Sequence, residues 1–257
     1  MRGRVSNHAF LGVSALLFAA SAALTIAWCG SMAEMDGMAM PGDWTMSMTW
    51  MPGQSWTGAT ASFLAVWVVM MVAMMLPSLV PMLWRYREAA GTTGDSHLGW
   101  LTTIVGVGFF FVWTIFGLAV FPLGLTLAAA EMEHAALARA VPVAAGVVVL
   151  LAGLFQFTAW KTRHLACCRE APSSSHALPA AAGTAWRHGL FLGIHCCACC
   201  VGLMAVLLVV GVMDLRAMAL VAIAITVERL GPSDQRVARA VGVVMSGAGL
   251  VMIARAL

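Results

Sequence analysis

Apolar residues fall in seven long blocks separated by short polar or charged breaks, a spacing that predicts a polytopic helical bundle. The blocks cover roughly 9–29, 57–84, 98–127, 140–160, 188–211, 214–229 and 237–256. About 20 consecutive apolar residues carry a helix across ~30 Å of hydrocarbon, and six of the blocks reach that length. The sixth in order is the shortest: only Leu215 to Val227 is cleanly apolar, and Arg216 stands near its start. It reads either as a short span or as a re-entrant helix. A lipid-embedded backbone has no water to bond, so each block is expected to be α-helical. The predicted fold class is therefore all-α, a membrane helical bundle of about seven transmembrane helices.

Composition agrees with that pattern. The chain of 257 residues is 61% hydrophobic and 10% charged, with mean hydropathy +0.91. Those values belong to an integral membrane protein rather than to a soluble domain of this length. A net charge of +3 gives no support for nucleic-acid binding. The basic residues instead orient the chain. With the N-terminus inside, Arg2, Arg4, Arg85, Arg87, Lys161, Arg163, Arg169, Arg187, Arg229, Arg236 and Arg239 lie on the cytoplasmic side, and Arg139, Arg216 and Arg255 lie outside. That split predicts an N-in, C-out, multi-pass protein of a bacterial cytoplasmic (inner) membrane. Arg2 and Arg4 before an apolar core also resemble a secretory signal. The run is long for a signal core and Trp28 suits a cleavage point poorly, so a retained anchor is expected.

No internal repeat is evident. The expected organisation is an N-terminal transmembrane anchor (1–30), a Met-rich extracytoplasmic loop (31–56) and a metal-binding membrane domain (57–257) of six further helices. A cytoplasmic Cys-containing loop is expected at 161–187, with Pro172 to Thr184 reading as a Pro/Ser/Ala-rich linker.

The chemistry is concentrated in His195-Cys196-Cys197-Ala198-Cys199-Cys200, which sits inside the fifth block. In a helix Cys196 lies three and four residues from Cys199 and Cys200, and His195 lies four from Cys199, so soft donors project as adjacent stripes. Thiolate and imidazole favour Cu(I), Zn(II) or iron–sulfur over Mg or Ca. A single cysteine would read as helix packing; four in five positions point to a metal or redox role.

Methionine extends the pattern. Seven methionines occur within 32–51, and Met35, Met38, Met40, Met46 and Met48 form an expected outer capture site for copper. The alternative is an interfacial loop whose Met and Trp enter the headgroups. In the second block, Met70/Met74 and Met71/Met75 are i,i+4 pairs followed by Pro77 and Pro81, which permit a kink. Met71, Met74 and Met75 are expected to share a soft-ligand site with the cysteines, although Met-lined helices also serve as plastic packing. Near the inner face stand Gln156, Cys168 beside Cys167, and Glu228, each a further candidate ligand. Gln156 can equally bond between helices, and Glu228 can pair with Arg229 or Lys161. His97 and His188 read as interfacial caps. No Walker or dinucleotide motif is present.

The ordered motifs Trp67…Met70-x-x-Ala73-Met74-Met75-x-Pro77-Ser78, Gln156…Lys161…Cys168-Arg169 and Gly193-x-x-Cys196-x-x-Cys199-Cys200…Leu203-Met204…Gly211-x-Met213…Val227-Glu228 resemble a bacterial family. It is described as predicted metal-binding integral membrane proteins, a domain of unknown function. The likeness spans about 57–230. The chain differs in having Ala198 for Gly, Val201 for Trp and Arg229 for Lys, and Cys167 and Cys197 lie outside the pattern. The resemblance implies metal binding in a helical bundle and brings Met204 into the ligand set.

The function expected is binding of a soft transition metal, Cu(I) before zinc or iron, for copper trafficking, sequestration or delivery. The alternative is a thiol- or metal-dependent redox or electron-transfer subunit assisting a membrane copper enzyme. Expected partners are membrane lipid, the metal ion, and a periplasmic copper chaperone or a membrane oxidase or monooxygenase. A third reading, a purely structural membrane partner, would leave the cysteines as packing.

Overall fold

The computed structural model describes residues 2–34, 55–90, 95–169, 181–231 and 235–257. These form eight helices: α1 (Arg2–Glu34), α2 (Trp56–Ala89), α3 (Asp95–Glu133), α4 (Ala135–Phe155), α5 (Ala159–Arg169), α6 (Ala182–Val210), α7 (Leu215–Leu230) and α8 (Arg236–Ala256). No strand occurs among the described residues. Every apolar block lies on a helix, but the blocks are not seven equivalent spans. Helices α1, α2, α3, α6 and α8 are long and apolar enough to cross a bilayer. Helices α4 and α5 meet at a 66° bend and make a sixth span if counted as one. At 16 residues α7 is about 24 Å long, less than the hydrocarbon thickness.

The bend corrects one expectation. Residues 161–169 are not loop, because the chain resumes helix at Ala159 and carries Lys161, His164 and Cys168 on α5. His188 is also not a cap. It lies inside α6 and stacks on Tyr86 at 5.4 Å between ring centroids.

Local chemistry sets several helix ends. Ser55 caps α2 by accepting from the Gly58 amide at 3.2 Å. Asp214 caps α7 by accepting from the amides of Arg216 and Ala217. Gly211 ends α6 at φ 133°, a conformation that a side chain would strain. Pro77 and Pro81 stay within the continuous helix α2.

Small residues let two helix pairs approach closely, a pattern consistent with apolar helices packed in a bilayer. Where α3 crosses α6, a Cβ on Gly189 would stand 2.3 Å from the Val105 carbonyl oxygen. Where α4 crosses α8, Gly153 and Gly249 sit equally tightly against backbone. Trp67 of α2 fills the space over Gly117 of α3 and donates its indole N–H to the Trp113 carbonyl at 2.9 Å. The α3–α6 crossing turns the Cys196–Cys200 segment toward α2, and the short α7 closes the same space from the side.

Candidate metal centre

Helix α6 buries Cys196, Cys199 and Cys200 to 2% exposure or less. Their spacing of three and four residues puts all three on the inward face. The Cys199 and Cys200 sulfurs are 3.5 Å apart, and those of Cys196 and Cys200 4.0 Å. From α2, the Met75 thioether lies 4.0 Å from Cys196. From α5, buried Cys168 adjoins Cys199 and Arg229. Five sulfurs from three helices thus meet in one buried space.

The spacing suits a shared ion. With metal–sulfur bonds of about 2.3 Å, two ligands at a tetrahedral or trigonal angle stand about 3.8–4.0 Å apart. The fit is of spacing rather than orientation. Among the described residues, no three His, Cys, Asp or Glu side chains converge as a ready-formed cage. The Cys199 thiol, for example, is donated to the Cys196 carbonyl at 3.3 Å. A rotation about χ1 would release it.

Helix α7 contributes a cation at the centre. Arg229, 3% exposed, donates to Ser78 Oγ at 2.9 Å, Cys196 Sγ at 3.3 Å and Met82 Sδ at 3.0 Å. Burying a guanidinium is costly unless charge or hydrogen bonds compensate it. Here all three named partners also belong to the sulfur pocket or its wall. Its charge would offset the negative charge that several thiolates bring to a monovalent ion. Ser78 in turn donates to the Met75 carbonyl at 2.9 Å, tying the guanidinium to the α2 backbone.

Glu228 and Lys161 form a second buried polar unit. Lys161 Nζ lies 2.7 Å from Glu228 Oε2, with both side chains 2% exposed. This pair joins α5 to α7 and holds Cys168 and Arg229 in register beside it. Of the two partners the sequence left open for Glu228, the ion pair is with Lys161.

The other expected ligands are placed as follows. Met71, Met74 and Met204 are buried in the same core as the cysteines. Gln156, at the α4–α5 bend, donates to Met245 of α8 at 3.7 Å. Cys197 is half-buried, on a different side of α6 from its three neighbours. His195 packs against Phe191 and against His164 of α5. Met35, Met38, Met40, Met46 and Met48 lie outside the described residues. Sequence reasoning missed Arg229, Ser78 and Met82 as members of the pocket. The signal for Ser78 and Met82 was the stripe Met71, Met75, Ser78, Met82 along one face of α2.

No curated protein and no solved structure is detectably similar to the chain. A family model described as PpoB2, copper chaperone, matches residues 64–252, which takes in most of α2, all of α3 to α7, most of α8 and every sulfur of the pocket. On that match the chain belongs to the PpoB2 copper-chaperone family.

Proposed function

We propose that this protein is a membrane-embedded Cu(I)-binding protein that holds the ion in the sulfur pocket between α2, α5 and α6 and releases it by ligand exchange to an acceptor. The observation that carries this reading is the meeting of Cys168, Cys196, Cys199, Cys200 and Met75 in a buried space with Arg229 beside them. Thiolate and thioether are soft donors and select Cu(I) over hard cations. The copper-chaperone family supports the same metal. The Met-rich segment 31–56 would collect the ion outside the membrane, and a periplasmic chaperone or a membrane copper enzyme would be the exchange partner. No redox step is needed, since the ion stays Cu(I) throughout.

The test is the copper content of anaerobically purified protein after desalting. Wild type is expected to retain about one Cu(I) per chain, and C196S/C199S/C200S none. Equal retention by both would refute the assignment.

A further inference from the structure

Two imidazoles next to the pocket have no part in the sulfur site. His164 of α5 and His195 of α6 face each other with ring centroids 5.1 Å apart. Each lies four residues before a cysteine of the pocket, Cys168 and Cys199, and those two thiols are also neighbours. Helices α5 and α6 therefore present two matched rungs, imidazoles on one and thiols on the next, about 6 Å apart along the helix. The thiol rung is fully buried, whereas both imidazoles are only partly covered.

From this arrangement we infer that His164 and His195 form a second, weaker Cu(I) site that passes the ion to Cys168 and Cys199. The inference rests on the proposed copper-binding role of the sulfur pocket. Three details support it. His195 Nδ1 lies 2.9 Å from the Phe191 carbonyl, which can only accept, so in the neutral ring Nδ1 carries the proton and Nε2 presents the lone pair. Metal-binding histidines are oriented by this kind of bond. Secondly, His164 Nδ1 is buried with no hydrogen-bond partner, as expected of a nitrogen set aside for a ligand. Thirdly, two imidazoles sharing an ion through bonds of about 2.0 Å at a tetrahedral angle have centroids about 5 Å apart. Trp160 and Phe191 flank the two rings at 4.7 and 4.0 Å and exclude water from two sides.

Transfer is ligand exchange. Copper–nitrogen bonds break as copper–sulfur bonds form at Cys168 and Cys199. The protons released by the two thiols go to the vacated imidazole nitrogens and from there to solvent. Copper remains Cu(I).

The experiment adds Cu(I) as its bicinchoninate complex to full-length protein in detergent under argon. Wild type and H164A/H195A should reach the same tightly bound copper content, but the double variant should load at least ~10-fold more slowly. The C196S/C199S/C200S protein should still take up weakly held Cu(I) in an equilibrium titration, with nitrogen ligands in its X-ray absorption, and lose that nitrogen-bound ion when H164A/H195A is added. If the double variant is misfolded by size exclusion, H195N gives the same kinetic comparison, because its amide nitrogen overlays Nδ1 and can still donate to the Phe191 carbonyl. Loading of the histidine variant at the wild-type rate would overturn the inference and leave the sulfur site standing. Failure of wild type to bind copper at all would overturn both.

Discussion

Replacing Arg229 by leucine removes a cation that touches the sulfur pocket without adding another donor atom. The guanidinium stands 3.3 Å from Cys196 Sγ. At an effective dielectric of ~20, a unit positive charge at that distance stabilises a thiolate by about 5 kcal/mol. The guanidinium charge is delocalised and its other N–H groups serve Ser78 and Met82, so about 2–4 kcal/mol is a realistic loss. That range corresponds to roughly 30- to 1000-fold weaker Cu(I) binding in R229L. R229K restores the charge without the planar fork and should recover most of the affinity. Anaerobic competition against a Cu(I) chelator measures both variants directly. Wild-type affinity in R229L would refute the charge-compensation argument. Tighter binding would show that Arg229 competes with the ion for Cys196.

Two further predictions concern the frame that holds the pocket. E228Q strands the buried Lys161 ammonium and should cost about 3–5 kcal/mol of stability, whereas K161M/E228L should recover most of it. Thermal unfolding in detergent distinguishes them, and equal midpoints for E228Q and wild type would contradict the pairing. G189A drives a methyl against the Val105 carbonyl and should destabilise the α3–α6 crossing by about 1–3 kcal/mol or more. G183A, with nothing within 4 Å of the added carbon, should unfold with wild type.

The long helices were legible because crossing hydrocarbon would set a single requirement, a sufficiently long apolar run, and α1, α2, α3, α6 and α8 meet it by length and composition. Helix α5 was hidden because Lys161, Arg163, His164 and Arg169 make its composition read as loop. Its inward stripe of Lys161, Leu165 and Cys168 is helical in period, but Lys161 disguises the pattern, since the carboxylate that pairs with it, Glu228, lies on α7. The cysteine face of α6 followed from spacing along one helix, and the Met75 contact followed from the matching stripe on α2. Spacing could not show that Arg229 turns into the pocket rather than pairing with Glu228, since that choice depends on how α7 rotates against α2. Nor could it show His195 turning to His164, because the partner lies on the helix that composition concealed.

The central claim is that these sulfur atoms hold one copper ion together. Copper K-edge X-ray absorption on the loaded, desalted protein tests it most directly. The account predicts Cu(I) with sulfur ligands only, and no copper signal once Cys196, Cys199 and Cys200 are serine. A first shell made of nitrogen or oxygen in the wild-type protein would contradict it.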